Sequence, residues 1–285
     1  MDRFGGNSKS SESVAAGARA RQQTIAANRS ERSCGIAIMA KASAPGRTKT
    51  RLVPPLTFEE AAAVNTAFLQ DISDNLLLAG QYAPIAGYAA FAPPGAEDFF
   101  NRILPSAIGL IGACMPNFGD CLLHTIQEIL ARGHGSAVVL NSDSPTLPTA
   151  LLVEAADVLA RPGERAVFGP CSDGGYYLLG LKTAHRRLFE DIAWSTERVA
   201  EQTLERAREI KLDVHTLPVW YDVDDVDGLR RLQREIRQPR PVARELDRRE
   251  PNYPAASAAL INRVWCDGDF SRRRENVMQI AAGGA

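Results

Sequence analysis

Four cations crowd one short loop of this chain. Lys41, Arg47, Lys49 and Arg51 lie in Lys41-Ala-Ser-Ala-Pro-Gly-Arg-Thr-Lys-Thr-Arg-Leu52, and no acid occurs between Glu31 and Glu59 to neutralise them. Arg offers a planar fork to phosphate oxygens and Lys a compact point charge, so such a loop suits phosphates. Pro45-Gly46 bends the loop in its middle. A solvated basic turn is the commoner fate of a charge cluster, but position argues otherwise here. The loop directly follows an apolar run, Cys34-Gly-Ile-Ala-Ile-Met-Ala40, that reads as a buried strand.

The acids come later in the chain. Asn141-Ser-Asp-Ser-Pro145 ends a strand-like run, Ala137-Val-Val-Leu140, and so presents Asp143 at a carboxyl edge. A carboxylate there can bind Mg²⁺ or Mn²⁺, which take oxygen ligands and share them with substrate phosphates. The same residue could instead form an Asx-turn that caps the next helix. Trp220-Tyr-Asp-Val-Asp-Asp225 places three acids in four residues, a costly cluster without a cation or helix N-terminus to compensate it. Asp222 and Asp224 share one parity along an extended segment and can face one site. Asp225 or Asp227 is free to cap the following helix.

Gly169-Pro-Cys-Ser-Asp-Gly-Gly175 joins two strand-like runs. Gly174 and Gly175 permit a positive φ and close approach to a ligand, which a plain hairpin turn would also explain. Asp173 beside them suits a hydrogen bond with a sugar or acceptor hydroxyl. Trp194-Ser-Thr196 reads as a helix N-terminus, either facing an acceptor or serving as an ordinary cap. No Walker A spacing, G-x-G-x-x-G, G-x-S-x-G or H-E-x-x-H occurs, and the four histidines lack ligand spacing.

These segments need a scaffold. Strand-like runs at Cys34–Ala40, 86–91, 108–113, 137–141, 166–168, 176–181 and 213–217 alternate with helical spacing at Phe58–Ala79, 121–132, 149–160, 196–209 and 226–236. Thr57 with Glu59 and Glu60 marks the start of the first helix. The alternation predicts an α/β sandwich with a mostly parallel sheet, whose ligands sit at the carboxyl ends of the strands.

At 285 residues and 45% hydrophobic, the chain can bury one sizeable core. We expect a disordered tail without assigned function over 1–33, a single α/β domain over 34–238 and a C-terminal appendage over 239–285. Net charge is −1, which excludes a global field for nucleic acid or an anionic membrane. Five scattered cysteines without a C-x-x-C pair point to a reducing, cytoplasmic setting. The longest apolar run, Ala107 to Met115, is too short to span a bilayer.

In order, Lys-x-x-x-Pro-Gly-Arg-x-Lys-Thr-Arg-Leu, Ser-Asp-Ser-Pro, Gly-Pro-x-x-Asp-Gly-Gly-Tyr-Tyr-Leu-Leu-Gly-Leu, Trp-Ser-Thr and Tyr-Asp-Val-Asp resemble the radical-SAM/selenodomain-associated transferases. These are glycosyltransferase-A-like proteins similar to 2-phospho-L-lactate guanylyltransferase. The resemblance covers about residues 34–237. It implies a three-layer Rossmann-like sandwich of the nucleotide-diphospho-sugar transferase type that binds a nucleotide with Mg²⁺ or Mn²⁺. Carried over by position, Lys41, Gly46, Arg47, Lys49 and Arg51 would form the phosphate loop. Asp143 and Asp224 would be metal carboxylates, and Asp173 with Gly174 and Gly175 the acceptor-side loop. Lys49, Asp143 and Asp173 would carry the catalysis. Gly119-Asp-Cys-Leu-Leu-His124 departs from the family's Gly-Asp-Leu-Gly-x-Arg-like segment, and Asp-Val-Asp-Asp-Val-Asp-Gly-Leu229 departs at a helix start.

The expected function is glycosyl transfer from a nucleotide-diphosphate sugar to a small-molecule acceptor. The alternatives are nucleotidyl transfer from a nucleoside triphosphate to a phosphorylated small molecule, and a non-catalytic nucleotide-binding module.

Overall fold

The computed structural model describes residues 33–237 and 251–264. Its strands are β1 (Cys34–Lys41), β2 (Ile85–Ala92), β3 (Gly109–Gly112), β4 (Ser136–Leu140), β5 (Ala166–Pro170), β6 (Tyr176–Leu181) and β7 (Val214–Thr216). They form one seven-stranded sheet in the order β3-β2-β1-β4-β6-β5-β7. β6 runs antiparallel to β4 and β5, and the other pairings are parallel. The mostly parallel α/β sandwich is therefore present. β1 pairs on both sides and is covered on both faces, which is why it reads as an unbroken apolar run rather than an alternating one.

The helices are α1 (Phe58–Ala79), α2 (Glu97–Ile103), α3 (Phe118–Ala131), α4 (Thr149–Leu159), α5 (Val199–Glu209), α6 (Val226–Arg237) and α7 (Ala255–Val264). α1 begins with a reciprocal capping box between Thr57 and Glu60. Leu69, Ile72 and Leu76 of α1, Phe100 of α2 and Leu151, Ala155 and Leu159 of α4 cover one face of the sheet. Leu122, Ile126 and Ile129 of α3 and Ala207 of α5 cover the other. Each face buries side chains that would otherwise be wetted, at roughly 25 cal/mol per Å² of apolar surface.

A third apolar cluster lies on the outer side of α1. Val64 and Phe68 of α1 meet Leu52, Tyr221 and Val223, Leu229 and Leu232 of α6, and Ala258 and Ile261 of α7. α7 is held there by Asp71, which accepts hydrogen bonds from the Ala256 and Ser257 amides and from the Ser257 hydroxyl. The Asn252 amide also donates to the Thr146 carbonyl at 3.1 Å. This cluster braces the segments that carry Lys49 and Asp224 from behind.

Two details differ from the sequence reading. α5 starts at Val199 rather than Thr196, because Thr196 instead closes a turn with Ala193 and the Arg198 amide. The sequence spacing does not predict α2, which is short, or α7, which lies in a stretch of patchy apolar content. The expected N-terminal tail, apart from Ser33, lies outside the described residues, as do Trp265 and the residues beyond it. Among the described residues no helix is long and apolar enough to cross a membrane.

Candidate active site

The carboxyl ends of β1 and β4 and the amino end of the antiparallel β6 open into a cleft of about 660 Å³. Lys41 at the end of β1 and Arg47, Lys49 and Arg51 of the β1–α1 loop line it, as does Asp143 from the loop after β4. Asp173 and Gly175 line it from the β5–β6 turn, and Asp222 and Asp224 from the segment before α6. Gly46 lies on the exposed bend of the basic loop with φ 71°, a value glycine adopts without penalty. Gly174 sits behind the wall, where a Cβ would lie 2.1 Å from the Glu197 carbonyl oxygen.

The four cations divide into two kinds. Lys41, Arg47 and Arg51 are exposed on the rim and make no ion pair among the described residues. Lys49 points inward. Its backbone is left-handed, φ 52° and ψ 36°, between a turn closed on the Ala44 carbonyl and the buried anchor Leu52. The ammonium lies 2.6 Å from Oδ1 of Asp143, 2.8 Å from Oδ1 of Asp224 and 2.9 Å from the Val223 carbonyl oxygen. It also sits 5.3 Å from the centre of the Phe68 ring. Burial alone would lower its pKa, but Asp143 and Asp224 outweigh that and raise it above the ordinary lysine value.

The two acid-bearing loops are locked in register. The Val223 amide donates to the Asp143 carbonyl at 2.8 Å, and the Ser144 hydroxyl to the Tyr221 carbonyl at 2.9 Å. The Tyr221 hydroxyl donates to Glu235 of α6 at 2.6 Å and accepts from Thr146 at 3.0 Å. Asp225 caps α6 through the Gly228 amide, so it serves the helix while Asp222 and Asp224 face the cleft. Asp143 does not cap α4, whose start has no side-chain cap.

Asp222 stands apart electrostatically. Burial, then Asp173 and Asp224, push its carboxyl up to about 7. Asp224 behaves oppositely: burial would raise it, but Lys49 holds it below the ordinary carboxylate value. Donor atoms of Cys171, Asp173 and Asp222 all lie within 4.8 Å of one another. The Cys171 thiol is buried and pushed well above its ordinary value by burial and the surrounding acids, so it remains a neutral, poor ligand. That leaves oxygens from Asp173 and Asp222, neither paired with a cation among the described residues. Four aspartate carboxylates thus line a cleft that holds one buried ammonium, and the donor set fits a hard divalent cation.

The opposite wall is aromatic. The rings of Phe118, at the start of α3, and Trp194 meet edge to face at 5.2 Å, and both line the cleft. Gly119 admits this contact, because a Cβ there would lie 2.8 Å from the Phe189 carbonyl and 3.1 Å from the Trp194 ring. Close packing therefore accounts for Gly119 of the altered segment.

Residues 77–196 match the model of a family described as an uncharacterized protein conserved in bacteria, DUF2064. The fold is that of the nucleotide-diphospho-sugar transferases. A candidate nucleotide-diphospho-sugar transferase from Desulfovibrio desulfuricans G20 superposes with a TM-score of 0.68 at 27% identity, over 82% of this chain and 95% of that one. Weaker likenesses include a CMP:2-keto-3-deoxy-manno-octonic acid synthetase bound to CTP, with a TM-score of 0.46 at 11% identity over 71% of this chain and 97% of that one. A cytidylyltransferase from Leptospira borgpetersenii serovar Hardjo-bovis gives 0.46 at 11% identity over 81% and 94%. No curated protein sequence matches.

The structure thus brings the sequence-chosen cations and acids to one cleft. Lys49 engages the two carboxylates chosen as metal ligands, while Asp222 and Asp173 lack a cation partner among the described residues. Sequence reasoning missed Cys171, Phe118 and Asn65 as lining residues. Cys171 lies inside the quoted Gly169–Gly175 segment, but nothing local marked Phe118 or Asn65.

Proposed function

We propose that this chain is a divalent-metal-dependent transferase acting on a nucleotide-activated substrate, and that it transfers a glycosyl group from a nucleotide-diphosphate sugar. One observation carries the reading. The cleft sets three exposed cations on one rim against two cation-free carboxylates, the charge pattern that a metal-bound diphosphate requires. The likeness to the Desulfovibrio protein supports it, as does the resemblance of the motifs to radical-SAM/selenodomain-associated transferases. The scattered cysteines favour a cytoplasmic setting.

Asp222 and Asp173 would hold Mg²⁺ or Mn²⁺, with the remaining oxygens of Asp143 and Asp224 close by. When bound, that cation supplies charge neutralisation to the diphosphate as it becomes a leaving group. Arg47, Arg51 and Lys41 bind the phosphate oxygens and stabilise the negative charge that grows on them. Lys49 acts from beneath, pairing with Asp143 and Asp224 and holding their loops in register. Asp173, exposed at the edge of the acid cluster, accepts a hydrogen bond from the acceptor hydroxyl.

Nucleotidyl transfer is the second reading, because three rim cations would also suit a triphosphate. Product identity separates the two. With Mn²⁺ and a panel of nucleotide sugars and nucleoside triphosphates, glycosyl transfer yields nucleoside diphosphate and nucleotidyl transfer yields pyrophosphate. A chain that binds nucleotides and yields neither would be a binding module.

A further inference from the structure

The two walls of the cleft carry opposite charge. Every rim cation belongs to the end of β1 or the β1–α1 loop, whereas the charged residues facing it from the β5–β6 turn and the segment before α5 are Asp173 and Glu197. These two segments form one surface: Gly174 packs directly on the Glu197 backbone, and the Ala200 amide donates to the Gly174 carbonyl at 2.9 Å. Phe118 and Trp194 continue that surface. Phe118 is 48% exposed although it stands beside a buried core, and its contact with Trp194 fixes the orientation of both rings. Ser195, between Trp194 and Thr196, is held at φ 65°, a strained value for a residue with a side chain. On the cleft floor, the Tyr176 hydroxyl is buried without a hydrogen-bond partner among the described residues.

We propose that Phe118, Trp194, Thr196, Asp173 and Glu197 form the acceptor site, and that the acceptor is a neutral or amine-bearing sugar rather than a phosphorylated molecule. The inference rests on the transferase reading above and narrows its substrate. A sugar presents a C–H face to aromatic rings and hydroxyls to carboxylates and threonine, the combination this wall offers. A phosphate placed against Thr196 would meet Glu197 with no lysine or arginine among the described residues lining that wall. The divalent cation proposed at Asp173 and Asp222 is committed to the donor diphosphate, so like-charge juxtaposition disfavours a phosphorylated acceptor. In the reaction, the acceptor hydroxyl oxygen bonds to the anomeric carbon while the sugar–phosphate bond breaks with its electron pair on the nucleoside diphosphate. The hydroxyl proton passes to a carboxylate of this wall and then to water.

The test uses the full chain and reads the acceptor wall without relying on turnover. Methyl glycosides, an aminohexose and hexose 6-phosphates are titrated against tryptophan fluorescence, with Trp194→Phe identifying the responding ring. Neutral and amino sugars should perturb Trp194, and the 6-phosphates should bind at least ~10-fold more weakly. In transfer assays Phe118→Ala should raise the acceptor KM by roughly 10-fold, as expected for loss of one aromatic contact and its buried area. Its nucleotide Kd, measured by calorimetry, should move less than about twofold. Tighter binding of the 6-phosphates, or a nucleotide Kd that weakens in Phe118→Ala, would overturn the proposal; the latter would make the wall a nucleobase site. Failure of the wild-type chain to bind any nucleotide would overturn the transferase reading instead.

Discussion

The ammonium of Lys49 lies 2.6 Å from Oδ1 of Asp143, although the two residues sit on loops that follow different strands, β1 and β4. Asp224, from a third loop, closes on the same ammonium at 2.8 Å. Lys49 is therefore the joint of the site. In Lys49→Met the two acids would face each other unpaired, a change that costs several kcal/mol in fully buried pairs. Both acids are partly exposed, so we expect about 2 kcal/mol lost at neutral pH, read as a lower urea midpoint. A midpoint within ~0.3 kcal/mol of wild type would show that the joint contributes nothing.

Asp222 is the carboxylate we propose for the divalent cation, on charge and position. Asp222→Asn should weaken Mn²⁺ binding at least ~10-fold, measured by the free-ion EPR signal without nucleotide. Unchanged Mn²⁺ affinity would move the cation elsewhere in the cleft.

Gly174→Ala tests the construction of the acceptor wall. The backbone has φ +91°, and the new methyl would stand 2.1 Å from the Glu197 carbonyl. A shift of the wall is unavoidable, and a loss of about 3 kcal/mol in denaturant unfolding is expected. Wild-type stability in this variant would mean that the two segments are not in contact.

The docking of α7 should depend on pH. Burial of Asp71 costs more than its three hydrogen bonds to residues 256 and 257 return, and its carboxyl is pushed up from 3.8 to about 6. The neighbouring Asp74 adds to the rise. A folded-state pKa above the unfolded one gives stability that is whole below about pH 4 and is lost as pH rises through about 6. Wild type should lose on the order of 2 kcal/mol across that window relative to Asp71→Asn, in which the step should flatten. Parallel pH profiles for the two proteins would contradict this.

Much of the scaffold was legible because its signals are local. The bounds of α1 follow from the Thr57–Glu60 capping box and the helical spacing of Val64, Phe68, Ile72 and Leu76. β1 and the turn at Gly174-Gly175 are equally local. The acids could be gathered by strand ends and by the parity of Asp222 and Asp224. The inward turn of Lys49 could not, because a left-handed lysine is imposed by the tertiary anchoring of Leu52 and not by its own propensity. The same holds for Phe118 and Trp194, which meet only once α3 and the segment before α5 have packed on the same face of the sheet. α7 depends on Asp71, a partner distant in sequence.

The function we propose for this cleft is transfer of a group from a metal-bound nucleotide-activated substrate. Its most direct test is nucleotide release by wild type and Asp143→Ala, side by side, with Mn²⁺, a panel of nucleotide sugars and a neutral sugar acceptor. We expect nucleoside diphosphate from wild type and at least ~10²-fold less from Asp143→Ala. Full activity in Asp143→Ala, or no nucleotide product from wild type with any donor of the panel, would contradict it.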